Sequence, residues 1–153
     1  MAPEAERRQK TLPVDEQEAN VEKRPYILIV DDDPDILEGI LMILESQPYR
    51  LATARDGKKC MEMLEQETPD LLILDLLMPR MDGWGVIREM RSSPRFANVP
   101  ILVLTTVIED ASRRRYELET GMVMDVQDYV QKPARPDDLI RRVERLLKIH
   151  AKP

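Results

Sequence analysis

Asp31, Asp32 and Asp33 close one apolar run, Ile27-Leu28-Ile29-Val30, and Asp75 closes another, Leu71-Leu72-Ile73-Leu74. A third run, Ile101 to Leu104, ends in Thr105 and Thr106, and Tyr129-Val130-Gln131 ends in Lys132 and Pro133. Acids packed together repel one another unless a cation sits among them. Their hard oxygens suit Mg²⁺, which takes few carboxylates and keeps several waters. An ammonium can neutralise phosphate oxygens, and a hydroxyl can donate to them. Phosphoryl transfer depends on positioning and charge neutralisation, and a carboxylate nucleophile needs no general base. The combination reads as a Mg²⁺ and phosphoryl-group site with an aspartate as acceptor. Singly, each group has an ordinary explanation: a helix cap, a strand-end acid, a turn. Their order, and their shared position at the ends of apolar runs, makes the set specific.

Such a site exists only if the four runs are strands whose C-terminal ends meet at one edge, as in an open parallel sheet. The pattern supports this. Tyr26 to Val30 is short and wholly apolar, as a strand covered on both faces must be. Asp33 as N-cap and Pro34 at the first helical position open a helix in which Ile36, Leu37, Ile40, Leu41 and Leu44 recur at helical spacing to about Ser46. An extended stretch follows Pro48-Tyr49 to Ala54, then a helix from Lys58 to Gln66 with Cys60, Met61 and Leu64 on its apolar face. The central strand, Leu71 to Asp75, leads to a helix from about Gly83 to Arg91, and Asn98-Val99-Pro100 leads into the strand Ile101 to Thr105. Asp110 to Glu119 reads as helical with Gly121 as C-cap; Tyr129-Val130 is the last strand, and Pro136 opens the last helix. Strand and helix alternate five times, which predicts a doubly wound α/β fold.

The totals agree with a single domain. The chain has 153 residues, 34% of them charged, and a formal net charge of -6. No basic run is long enough to neutralise a tract of phosphates, so direct nucleic-acid binding is not expected. Arg113-Arg114-Arg115 is flanked by acids and reads as a solvated helix face. Cys60 is the only cysteine, which excludes a disulfide framework and a Cys-based metal site, and His150, the only histidine, lies three residues from the end, so neither a histidine-centred triad nor a His-rich metal site is expected. Cys60 itself reads as a small core residue. No segment resembles a signal peptide or a membrane span, so a cytoplasmic location is expected. Residues 1–24 are charged and poor in large apolar groups, and read as a disordered tail ahead of a folded domain over 25–149, with 150–153 a short C-terminal tail.

Four motifs together resemble the receiver domain of two-component response regulators: Val30-Asp31-Asp32-Asp33-Pro34, Asp75-Leu76-Leu77-Met78-Pro79-Arg80-Met81-Asp82-Gly83, Thr105, and Tyr129-Val130-Gln131-Lys132-Pro133. The resemblance spans about Arg24 to Lys148. It implies a flavodoxin-like fold, a five-stranded parallel sheet of order 2-1-3-4-5 flanked by five helices. It also implies Asp75 as phosphoacceptor from a phosphohistidine on a histidine kinase or phosphotransfer protein. By the same resemblance Asp32, Asp75 and the Leu77 carbonyl bind Mg²⁺, with Asp31 acting mainly through a water. Lys132 bridges to the phosphate, Thr105 swings inward to a phosphoryl oxygen, and Tyr129 is the aromatic switch. Lys132-Pro133 is expected to be cis. Pro79 and Gly83 shape the turn into the third helix, with Gly83 expected at positive φ. Output is implied through protein contacts of the last two helices and last strand, including a possible homodimer. Such a domain is a phosphoacceptor that assists its own chemistry, not an enzyme acting on others.

Three departures qualify this. Leu77 and Val107 are apolar where the family often places water-orienting groups, which predicts a long-lived phosphorylated state. Gly121 to Tyr129 is about four residues longer than the usual Gly-Ala-Asp-Asp-Tyr, and contributes Met122, Val123, Met124 and Val126 to the output face. Arg135 replaces a frequent acid before the last helix, which shifts the cap toward Asp137. With the chain ending at Pro153, a stand-alone receiver is the leading reading and a non-phosphorylated scaffold the alternative. A haloacid-dehalogenase-type phosphatase is remote, because the second aspartate of that type is here Leu77.

Overall fold

The computed structural model describes residues 23–78, 81–106 and 125–149. Five strands form one parallel sheet: β1 (Tyr26–Val30), β2 (Arg50–Ala54), β3 (Leu71–Asp75), β4 (Ile101–Thr105) and β5 (Asp128–Gln131). Their order is β2-β1-β3-β4-β5, as expected, with β3 central and β2 and β5 at the edges. Four described helices accompany them: α1 (Pro34–Leu44), α2 (Gly57–Gln66), α3 (Gly83–Arg91) and α4 (Pro136–Ile149). The helix expected over Asp110 to Glu119, with Gly121 and the apolar residues 122–124, lies outside the described residues.

Strand periodicity explains the two-sided core. Leu28, Val30, Leu72, Leu74, Ile101 and Val103 face one side, where Cys60 and Leu64 of α2 and Val86, Ile87 and Met90 of α3 cover them. Their sequence neighbours Ile27, Ile29, Leu71, Ile73, Leu102 and Leu104 face the other, against Leu37, Ile40 and Leu44 of α1 and Leu139, Val143 and Leu146 of α4. Central strands buried on both faces must be apolar at every position, so their runs read continuously. A fully buried Leu or Ile contributes about 1.5–3 kcal/mol, enough that a one-residue slip of a central strand is heavily disfavoured.

Helix starts are fixed by short polar signals. Asp33 accepts from Asp35 N at 2.9 Å and Pro34 follows it at the first helical position. Asp56 caps α2 by accepting from Lys59 N at 2.7 Å, and Asp82 caps α3 by accepting from Gly85 N at 2.9 Å. Helix α1 ends at Leu44, two residues before the expected end, and α2 starts at Gly57, one before. Helix α4 starts at Pro136, with Asp137 and Asp138 inside the first turn, where its positive dipole end favours them. Asp137 is thus a first-turn residue and does not cap the helix.

Candidate functional site

The parallel register delivers the strand ends to one edge. Val30 pairs with Leu74, Asp75 with Leu104, and Thr105 with Gln131, so Asp31, Asp75, Thr105 and Lys132 all emerge together. Asp31 is fully buried, Asp75 is buried, and Asp32 is exposed at the mouth. Carboxylate oxygens of the three lie within 4.8 Å of one another. The Asp31 main chain is tied down by its N–H to Ala54 O at 3.1 Å, and its Oδ1 accepts from Asp33 N at 3.0 Å.

Lys132 is the counter-charge. Its Nζ lies 2.5 Å from Asp31 Oδ2 and 3.5 Å from Asp75 Oδ1, and its side chain is 10% exposed. The Asp31 contact is ionic without hydrogen-bond geometry. Lys132 is held by its own N–H to Thr105 O at 2.7 Å, and the Lys132-Pro133 peptide is cis, as expected. Among the described residues, this one ammonium meets two of the three clustered carboxylates. The result is visible at Asp75, whose pKa is pushed up to about 6 by burial and then by Asp31, with Lys132 and the Leu77 N–H pulling the other way. That N–H donates to Asp75 Oδ1 at 3.3 Å. A group with a perturbed pKa in a converging acidic pocket marks a functional site. Under-neutralised hard oxygens, one of them fully buried without a hydrogen bond, fit a small divalent cation.

The remaining expected residues are placed as follows. Thr105 is buried and Leu77 is 58% exposed beside the acceptor. The half-buried Tyr129 packs against the core with Trp84 and Val126. Pro79 and Val107 lie outside the described residues. Gly83 departs from expectation: its φ is not in the left-handed region, and it is the first residue of α3. Glycine is needed there because a Cβ would sit 2.4 Å from the Asp75 carbonyl oxygen and 2.7 Å from Leu76 Cα. Its N–H also donates to Leu76 O at 2.9 Å, so α3 begins against the backbone that carries Asp75. Cys60 is fully buried and its thiol is pushed up to about 12, which makes it a core residue and no nucleophile.

Two polar clusters escaped the sequence reading. Arg91, whose side chain is 8% exposed, donates to Asp125 O, Ala97 O, Val99 O and the Gln127 Oε1. Asp128 is bonded by Arg142 at 2.7 Å and by Arg145 at 2.6 Å, on the β5–α4 face. Neither carries a local signal in the sequence.

Comparisons with known proteins follow this geometry. The family model described as response regulator receiver domain matches residues 27–144. The DNA-binding dual master transcriptional regulator RpaA of Synechocystis is 36% identical over 126 residues, which cover 81% of this chain and 49% of that regulator. The chain spans about half the length of several curated relatives it matches. Among solved structures, the receiver domain of a signal transduction histidine kinase from Syntrophus aciditrophicus superposes with a TM-score of 0.74 at 32% identity, covering 84% of this chain and 94% of that one. The receiver domain of a sensor histidine kinase from Pseudomonas aeruginosa, solved with magnesium coordinated in its active-site cleft, gives 0.72 at 28% identity over 82% of this chain and 98% of that one. No described helix is long and apolar enough to cross a membrane. With an acidic edge, an invading lysine and a hydroxyl at the strand ends of a 2-1-3-4-5 sheet, this chain belongs to the response regulator receiver domain family.

Proposed function

We propose that the chain is a phosphorylation-activated receiver in which Asp75 accepts a phosphoryl group from a phosphohistidine on a histidine kinase or phosphotransfer protein. The observation that carries this is the Asp31–Asp32–Asp75 cluster with Lys132 as its sole described counter-charge, 2.5 Å and 3.5 Å from two of them. An Asp75 oxygen forms the new P–O bond while the P–N bond breaks, and the electron pair returns to the donor imidazole. Asp32 and Asp75, the Leu77 carbonyl and, through water, Asp31 are the residues that would hold Mg²⁺. Bound there, the ion offsets charge on the acids and on the transferring phosphoryl oxygens. Lys132 contributes a fixed positive charge toward the phosphoryl group, and Thr105 donates from its hydroxyl. Inward movement of Thr105 leaves room for the Tyr129 ring, so a population shift at the site reaches the β5–α4 face.

An apolar groove of about 140 Å³, lined by Ile36, Gly39, Ile40, Pro133 and Ala134, opens beside Lys132 and gives a protein donor a surface next to the acceptor. Downstream targets bind the face of the last two helices and the last strand, of which β5 and α4 are among the described residues. With Leu77 exposed beside Asp75 and apolar side chains at both position 77 and position 107, neither able to orient water, the aspartyl phosphate is long-lived; rapid loss of phosphate from the purified protein would overturn that point.

The deciding experiment is intact-protein mass after incubation with Mg²⁺ and a small phosphodonor. One phosphoryl adduct is expected on the wild type and none on Asp75→Asn. No adduct on the wild type, with no beryllofluoride binding, would point to a receiver-like scaffold.

A further inference from the structure

Strand β5 carries both Tyr129 and the approach to Lys132, yet it is the least constrained strand of the sheet. It is four residues long and lies at an edge, bonded only to β4. Side-chain direction alternates along a strand, so a one-residue slip exchanges its two faces and moves each residue by about 3.3 Å. A slip of β5 against β4 would turn Tyr129 off the core side and carry Lys132 away from Asp31 and Asp75. Central strands resist slipping through apolar burial, but β5 buries only Val130 fully. Something else must hold its register.

Gln127, immediately before β5, grips both main-chain groups of Ile101, the first residue of β4. Its N–H donates to Ile101 O at 2.9 Å, and its side-chain Oε1 accepts from Ile101 N at 2.7 Å. The same Oε1 accepts from Arg91 Nη2 at 3.2 Å. Arg91 does not follow a slip, because its planar fork is anchored on the turn before β4 as well as on the chain leading into β5. Its Nη1 donates to Ala97 O at 3.0 Å and Val99 O at 2.9 Å, in the turn before β4, and its Nε donates to Asp125 O at 2.9 Å. Moving Gln127 by one position would break the side-chain bond to Ile101 and the bond to Arg91 together, both of them partly buried. Buried polar groups left without partners are costly, so the correct register is strongly selected.

We infer that Arg91 and Gln127 form a register lock for β5, and that through it they position Lys132 and Tyr129. They are positioning residues, remote from the acids themselves. The lock stands on the hydrogen bonds alone; its consequence for phosphoryl uptake rests on the function proposed above.

The test compares Gln127→Leu, which keeps the volume and loses the acceptor, with Gln127→Glu, which keeps the acceptor. Hydrogen exchange is read at the amides of residues 128–131 and, as internal reference, in β1 and β3. Losing a charge-assisted buried bond should accelerate exchange of β5 in Gln127→Leu by at least about ten-fold, with β1 and β3 within about two-fold of wild type. Gln127→Glu should stay within about two-fold throughout. Unchanged β5 exchange in Gln127→Leu overturns the lock, as does equal acceleration in all three strands, which reports only lost global stability. Phosphoryl uptake from a small phosphodonor, read by mass, should slow in Gln127→Leu and recover in Gln127→Glu. Selective exchange with unchanged uptake would overturn the positioning of Lys132. Failure of wild type itself to take up phosphoryl would overturn the proposed function and leave the exchange result to decide the lock.

Discussion

Two buried charge clusters sit on opposite sides of β4, and they are built on opposite principles. At the strand ends, Asp31, Asp32 and Asp75 cluster while the Lys132 ammonium contacts only Asp31 and Asp75, and Asp75 is pushed up to about 6 by burial and by Asp31. At the other corner, a single guanidinium meets the carbonyls of Ala97, Val99 and Asp125, the Gln127 amide oxygen and, at 3.5 Å, the Asp125 carboxylate. Burial lowers the Arg91 pKa and Asp125 opposes that, but a guanidinium starts high enough to remain charged. The first cluster is left unbalanced, and suits the cation and phosphoryl chemistry proposed for it. The second is satisfied and holds the chain in place. An unbalanced buried site is a cost that only function explains; a balanced one is architecture.

Removing charge should therefore have opposite signs at the two sites. Arg91→Met leaves the partly buried carbonyls of Ala97 and Val99 without this donor and should destabilise the fold by about 3 kcal/mol, read by urea unfolding. A loss below about 1 kcal/mol would show that water replaces the guanidinium and that the corner is not closed.

Asp75→Asn should do the reverse. In metal-free protein the Asp75 carboxyl has its folded pKa raised to about 6 from 3.8, so the fold binds the proton more tightly than the unfolded chain does. Its destabilising effect is fully present above about pH 6, shrinks as pH falls, and vanishes below the unfolded value. Neutralising it should stabilise the chelator-treated protein by about 2 kcal/mol at pH 7, and should flatten the wild-type gain in stability between pH 7 and 4. Equal stability of the two proteins at pH 7 would mean that Lys132 already balances the site.

The smallest effect calibrates both. Lys59 and Glu62 approach to 3.8 Å across one helical turn with both side chains more than half exposed. Glu62→Gln should change stability by less than about 0.5 kcal/mol, and by less still in high salt. A larger change there would mean that surface charge, and not burial, separates the two clusters.

The contrast also marks how far the sequence could be read. The acids announced themselves because each closes an apolar run that can only be a buried strand, and the cap Asp33 lies two residues from the amide it accepts from. Arg91 gave no such sign. Its partners Asp125 and Gln127 are 34 and 36 residues away, and in its own helix it looks like a solvated charge. Gly83 was legible as a necessary glycine but for the wrong reason: the turn does not need positive φ, and the conflict is with the Asp75 backbone, eight positions earlier.

Sequence alone thus determined the strands, the described helices, their order and the set of strand-end groups, because periodicity and capping act over a few residues. Tertiary structure decided which acid Lys132 rests on, how far Asp75 is displaced from its ordinary pKa, and what fixes the register of β5. Those depend on distances of a few ångströms between segments far apart in the chain, and on how little water remains between them. Local pattern encodes neither.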